Sequence, residues 1–400
     1  MDLDLLKSLA VPAETKILLL VLDGLGGAPR SAGGPTELEA ARTPNLDALA
    51  AESVCGTLEI VGPGITPGSG PGHLALFGYD PLVHRIGRGV LEALGIGMEL
   101  TPLDVAARGN FCTVDGEGRI ADRRAGRIPT ELCEALAARL DGLPVPGAAC
   151  LVRAVREHRF VAVLRGEGLS DALSETDPQR IGVPPLPVRA LRPEAEAAAR
   201  AANALVAEAG RRLADQPAAN MVLLRGFARH PSLPTFKDLY GLTPGAIAVY
   251  PMYRGLARLA GMAPLPTGPS VAEEFAALAA HWPSHDFIYL HVKRTDSTGE
   301  DGDFDAKVAA IEEVDAQVPR ALALRPDVLA VTGDHSTPSA LKGHSWHPVP
   351  FILSSRQCRP DAVRQFSERA CLAGQYSRIA GKELLPLLLA NAGRLTKFGA

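Results

Sequence analysis

Cysteine is scarce in this 400-residue chain. The six present, at 55, 112, 133, 150, 358 and 371, form no CxxC pair. That argues against a zinc knot or a disulfide frame and leads to the expectation of reduced thiols in a cytoplasmic protein. Long apolar runs are missing too. The longest, Ile17 to Leu22 and Leu384 to Ala390, fall far short of the ~20 residues that span a bilayer. Residues Met1 to Asp4 are acidic and lack the basic and apolar regions of a secretory leader, so none is expected. There is no basic excess: 41 Lys and Arg stand against 45 Asp and Glu, giving a net charge of −4 and a pI of about 6.2. Neither nucleic acid nor a membrane is therefore expected as a partner. Internal repeats, low-complexity tracts and heptads do not stand out.

What is present reads as a globular protein, with 46% hydrophobic and 22% charged residues. Its length exceeds one ordinary core, so two domains are expected. Residues 16 to 105 alternate strand and helix patterns, and Thr43-Pro44 opens a helix with Thr43 as its expected N-cap. From about 107 the texture changes. Arg-rich short strands appear around Arg153 to Val155 and Phe160 to Arg165, followed by an Ala-rich helix from Pro193 to Ala214. From about 245 the strand–helix alternation resumes. The expectation is a discontinuous core domain, 1–106 with 236–400, and an inserted domain, 107–235.

Three apolar runs carry the functional reading. Ile17 to Leu22 ends in Asp23-Gly24, Phe287 to Val292 leads to Asp296 and Glu300, and Val328 to Thr332 ends in Gly333-Asp334-His335. Such runs predict buried strands of a parallel sheet, where ligands bind beyond the carboxyl ends. Each motif alone has an ordinary alternative: a turn-capping Asp, a satisfied core Asp–His pair, a solvated acidic stretch. Together they predict a divalent-metal site of carboxylates and imidazole. Asp296 and Glu300 are spaced to share one face of a helical turn. Of His344 and His347, one is expected to be a ligand and the other a surface residue. His73, His84, His230, His281 and His285 have no strand-end context and are expected to be structural.

The second focus is the run Gly62 to Leu74, GPGITPGSGPGHL. Glycines allow a tight turn and close approach of a ligand. Ser69 precedes an expected helix from Gly72 to Phe77, so its hydroxyl and the unpaired N–H groups of that helix start are placed to face one phosphoryl group. The alternative is a surface turn with Ser69 as N-cap. The loop lacks GxxxxGK[ST] and is no P-loop.

Asp23-Gly24, the Ser69 loop with His73-Leu74, Gly78-Tyr79-Asp80-Pro81, Gly87-Arg88-Gly89, Asp296, Gly333 to Pro338, His344-Ser345 and Pro348-Val349-Pro350 resemble the archaeal-type 2,3-bisphosphoglycerate-independent phosphoglycerate mutases of the alkaline phosphatase superfamily. The likeness runs from about residue 16 to 395 and includes Arg108-Gly109-Asn110, Ala125 to Ile128 and Thr176-Asp177-Pro178 in the insert. It implies an alkaline-phosphatase-like, mostly parallel α/β sheet flanked by helices, with a smaller inserted α+β lid domain. It also implies a cytoplasmic isomerase that interconverts 3-phosphoglycerate and 2-phosphoglycerate through a phosphoserine on Ser69. One ion would be held by Asp23, Ser69, Asp334 and His335, and the other by Asp296, residue 300 and His344. Arg123, Arg124, Arg127, Arg159 and Arg225, with Asp177, are the insert's candidates for binding phosphoglycerate. Homo-oligomerisation is left open.

Two positions depart from the family pattern. Glu300 stands where the superfamily has His, and Gly70 stands where an acidic residue follows the serine. A carboxylate at 300 shifts the expected metal from Zn2+ toward Mn2+, with Mg2+ and Co2+ also in view. The alternatives that stay open are a homoserine-kinase-like phosphotransferase, a phosphomonoesterase and a non-catalytic metabolite-binding relative.

Overall fold

The structure, a computed structural model, describes residues 2–231 and 233–399. The chain divides into two compact units, Met1–Arg85 with Leu233–Ala400, and Ile86–Ser232. The fold class is α/β, and in the first unit the centre is an eight-stranded, mostly parallel sheet. From one edge its strands are Arg378–Ala380, Val54–Glu59, Val349–Ser355, Val328–Thr332, Ile17–Leu22, Phe287–Val292, Pro244–Ile247 and Ala263–Pro264. Only the two pairings of Val349–Ser355 are antiparallel.

The three runs singled out in the sequence are neighbours at the middle of this sheet. All their residues are buried, which requires cover on both faces and explains their unbroken apolar character. Ile17–Leu22 is the central strand, and Val21 lies opposite both His291 and Thr332. The segments that follow the three strands therefore leave the sheet side by side. No helix among the described residues is long and apolar enough to cross a membrane, and the cysteines are free thiols.

The second unit is built on an antiparallel sheet. Asp104–Val114 is flanked by Arg159–Arg165 on one side and Met221–Arg229 on the other, with Ala149–Arg156 beyond and Ile120–Asp122 at the end of Asp104–Val114. Helices Thr130–Leu140 and Glu196–Leu213 supply Leu136, Leu140, Leu205 and Leu213 to a core with Phe111, Phe160 and Leu224.

Residues 86–106, placed in the core domain by the sequence pattern, cluster instead with this unit. The reason is packing: helix Arg88–Gly95 lies on strands Asp104–Val114 and Met221–Arg229. A Cβ on Gly89 would come within 2.3 Å of the Ala106 carbonyl oxygen, so only glycine permits that approach. Two smaller expectations also change. Thr43 precedes helix Pro44–Ala51 but gives it no side-chain cap. The helix expected at Gly72 begins at Ser69, with Gly68 as N-cap.

Glu274 on helix Val271–His281 is buried. Loss of hydration, reinforced by the Glu313 carboxylate, pushes its carboxyl up from 4.5 to about 8. The folded state thus holds a proton that the unfolded chain releases at its ordinary value. Stability falls as pH rises between these two values and stays reduced above the upper one. Glu274→Gln is expected to raise the Tm at pH 9 and to leave it nearly unchanged at pH 5. Equal shifts at both pH values would contradict this.

Candidate metal centre

Close approach builds the centre in the first unit. Gly24, at φ +63°, has no room for a Cβ, which would lie 2.4 Å from Thr337 Oγ1. At Gly72 a Cβ would meet the Asp334 carbonyl oxygen at 2.4 Å, and at Gly299 the Thr337 carbonyl oxygen at 2.3 Å. Three glycines therefore bring the Asp23 turn, the Ser69 helix and the Asp296 helix (Arg294–Asp301) against the Asp334–Thr337 segment. The fully buried Lys307 ammonium ties the Asp23 turn to the Asp334–Thr337 segment. It donates to the carbonyls of Gly24 at 2.8 Å, Gly26 at 3.0 Å and Thr337 at 2.8 Å.

Two groups of potential ligands form among the described residues: Asp23 with Asp334 and His335, and Asp296 with His335 and His344. Hydrogen bonding sets the tautomer of each imidazole. The Thr337 hydroxyl donates to Asp296 Oδ1 at 2.6 Å, so it accepts from His335 Nδ1 at 3.0 Å. His335 Nε2 then presents a lone pair in the neutral ring. It lies 3.2 Å from Asp23 Oδ1 and 3.2 Å from Asp334 Oδ2. Both oxygens are buried and without a hydrogen-bond partner, and Ser69 Oγ is 3.3 Å from the same nitrogen.

Lone pairs converging in a buried space call for a cation, and this donor set fits a divalent ion. Without a metal, a proton answers the same demand. Burial disfavours the charged ring, but Asp334, Asp23 and Asp296 outweigh it and push His335 up to about 9. Burial likewise opposes the charged form of Asp23, yet Lys293, His291 and His335 hold it well below the usual carboxylate range. In the second group His344 Nδ1 donates to the Pro67 carbonyl at 3.0 Å. Its Nε2 faces Asp296 Oδ1 at 3.6 Å and Glu300 Oε1 at 3.8 Å.

Asp23, Ser69, Asp296, Asp334, His335 and His344 thus come together. Glu300 sits one helical turn beyond Asp296, half exposed at the margin, and joins neither group. His347 turns away to Ser345 Oγ at 2.9 Å. His73, expected to be structural, is buried 3.1 Å from Asp334 Oδ2 and donates to the Ser69 carbonyl at 2.9 Å. Sequence reasoning also passed over His291, Lys293, Tyr253 and Thr337. His291 donates to Asp23 Oδ2 at 3.2 Å and stacks on Tyr253 at 3.8 Å. Its one sequence signal is a lone imidazole at the next-to-last position of an otherwise apolar strand.

In the second unit Arg123 pairs bidentately with the buried Asp177, at 2.9 and 2.7 Å. Arg225 bonds Glu175 at 3.2 Å and lies 3.5 Å from Asp177. Arg159 lies in the field of Glu92 with Arg88 and Arg108, while Arg124 and Arg127 are exposed.

Fold and site together define an α/β protein with a carboxylate–imidazole centre at the carboxyl ends of its central strands and a helix-start serine beside it. Comparison places it further. The profile of the family described as 2,3-bisphosphoglycerate-independent phosphoglycerate mutase matches residues 50–219. A Thermus thermophilus protein named "Probable 2,3-bisphosphoglycerate-independent phosphoglycerate mutase" is 52% identical over 406 residues, covering 100% of both chains. Among solved structures, the cofactor-independent phosphoglycerate mutase of Thermoplasma acidophilum superposes with a TM-score of 0.73 at 30% identity, covering 95% of this chain and 100% of that one. A Pyrococcus horikoshii protein superposes with a TM-score of 0.85 at 28% identity, covering 97% and 100%. The chain belongs to the 2,3-bisphosphoglycerate-independent phosphoglycerate mutase family.

The Thr337 hydroxyl is the part of this centre most open to test. Thr337→Val keeps the shape but removes the group that fixes the His335 tautomer. Manganese affinity, measured by calorimetric titration of metal-stripped protein, is expected to fall about 10–100-fold. Unchanged affinity would remove Thr337 from this role.

Proposed function

We propose that this protein interconverts 3-phosphoglycerate and 2-phosphoglycerate without 2,3-bisphosphoglycerate, using Ser69 as the phosphoryl acceptor. The observation that carries the reading is the Ser69 hydroxyl, 3.3 Å from His335 Nε2 and beside the two unpartnered oxygens of Asp23 and Asp334, in a chain of this family. Asp23, Ser69, Asp334 and His335 would hold one divalent ion, and Asp296, His344 and Glu300 a second. Bound there, the ions would lower the pKa of the serine hydroxyl and neutralise charge on the phosphoryl oxygens.

The chain's own groups do the rest. Ser69 is the first residue of its helix, so its Oγ lies at the positive end of the backbone dipoles, where a phosphoryl group is favoured. Its Oγ–P bond forms as the P–O bond to glycerate breaks, and the serine proton passes to the departing glycerate oxygen. The reverse transfer, to the other glycerate hydroxyl, completes the isomerisation. Between the two halves the glycerate must stay bound and water must stay out, or the reaction becomes hydrolysis. Arg123, Arg124, Arg127, Arg159 and Arg225 of the second unit are the proposed carboxylate and phosphate binders, with Asp177 orienting Arg123.

An enolase-coupled assay on 3-phosphoglycerate, with manganese and without 2,3-bisphosphoglycerate, tests the activity. Ser69→Ala is expected to lower turnover by about 10³-fold or more, because nothing else replaces the covalent acceptor. Near-wild-type turnover in that variant would rule out a phosphoserine at 69.

Glu300 is proposed to set the metal preference. Its carboxylate brings hard oxygen to the His344 side, so manganese should activate better than zinc. Glu300→His is expected to move the optimum toward zinc, and Glu300→Gln to weaken the second ion's binding. Three indistinguishable metal titrations would place Glu300 outside the coordination sphere.

A further inference from the structure

Lys293 directly follows the strand Phe287–Val292, and its side chain is 26% exposed. Its ammonium lies between the two ligand groups. It is 3.0 Å from Asp23 Oδ2, hydrogen-bonded to Asp296 Oδ2, and 3.2 Å from the Tyr253 hydroxyl. An ammonium has three donors, and three acceptors surround this one. None is left over for a phosphate or a hydroxyl of a substrate, so a direct contact with substrate is not its role.

Which oxygens it takes is the informative point. Asp23 Oδ2 is shared by Lys293 and His291, whereas Oδ1 faces His335 Nε2 and has no hydrogen bond. Asp296 Oδ2 goes to Lys293, whereas Oδ1 faces His344 Nε2. In both residues the ammonium holds the oxygen that points away from the imidazole lone pairs. We infer that Lys293 is a positioning residue: a fixed internal cation that claims one oxygen of Asp23 and one of Asp296, and so restricts each to a single coordinating oxygen for its own ion. The inference rests on the reading of these two aspartates as ligands of separate ions.

The physical need is clear from the alternative. Two aspartates with both oxygens free would chelate an ion bidentately or share one between them. Either arrangement draws the ions away from the places where His335 and His344 offer nitrogen. A cation that cannot leave the chain prevents this at the cost of repelling the ions. Lys293 therefore weakens binding while improving placement, and those two effects have opposite signs in a test.

The experiment is calorimetric titration of metal-stripped protein with manganese, paired with kcat at saturating manganese. Removing a unit charge a few ångströms from two ligand carboxylates is expected to tighten manganese binding at least about tenfold in Lys293→Met. The same variant is expected to lose about 100-fold or more in kcat, the scale on which misplaced reacting groups act. Lys293→Gln, which keeps a donor without the charge, should behave alike and covers a Met variant that fails to fold. Lys293→Arg should restore the weaker binding and part of kcat. Weaker manganese binding in both neutral variants would make Lys293 a structural prop and overturn the inference. Tighter binding with kcat unchanged would make it a space-filler displaced by the ions, and would overturn it too. Wild-type protein that binds no manganese would sink the metal reading itself, a separate failure.

Discussion

Three carboxylates, Asp23, Asp296 and Asp334, are wholly removed from water within one small volume, and the rest of the centre answers that constraint. Burying one unpaired carboxylate is prohibitive, and burying three side by side is worse. Each neighbouring group returns part of the lost hydration. Gly24 N donates to Asp334, Thr337 to Asp296, His291 to Asp23, and Lys293 supplies a full positive charge. The compensation is incomplete at two oxygens and at imidazole nitrogens that face them. That deficit is what makes the site a candidate metal centre: the polypeptide stops short of satisfying its own carboxylates, and a metal ion, or a proton on His335, answers the remainder.

The same constraint explains why the surrounding backbone is so tightly specified. A centre of this kind works only if its lone pairs converge within a few tenths of an ångström. Buried glycines admit the close approach of three turns, and the Lys307 ammonium fastens the Asp23 turn to the Thr337 segment through their carbonyls. Burial of that ammonium is itself costly, and three carbonyl acceptors are what make it tolerable.

Much of this was legible in the sequence because it is carried by local pattern. Ile17–Leu22, Phe287–Val292 and Val328–Thr332 announce buried parallel strands by their unbroken apolar character, and acidic residues at their ends announce the site. The long-range contacts that finish the centre are not legible, because they join residues about 260 to 310 positions apart whose types have common structural uses. Nothing local marks His291 as the partner of Asp23 or His73 as a neighbour of Asp334. The clustering of helix Arg88–Gly95 with the second unit is hidden from the sequence for a related reason. Its apolar pattern shows that it packs on something, while only the snug fit of Gly89 against Ala106 shows on what.

The order of strands in the large sheet has a consequence for how the protein comes into being. Its central strand, Ile17–Leu22, is synthesised well before its two partners, which lie beyond residue 286. The intervening second unit, Ile86–Ser232, is contiguous and has its own core, so it can fold while synthesis continues. The apolar strand Ile17–Leu22 meanwhile waits for its native partners through more than 260 residues of elongation, roughly 13–50 s. A chain arranged this way meets its main kinetic hazard before its core can close, as an exposed apolar segment open to mispairing.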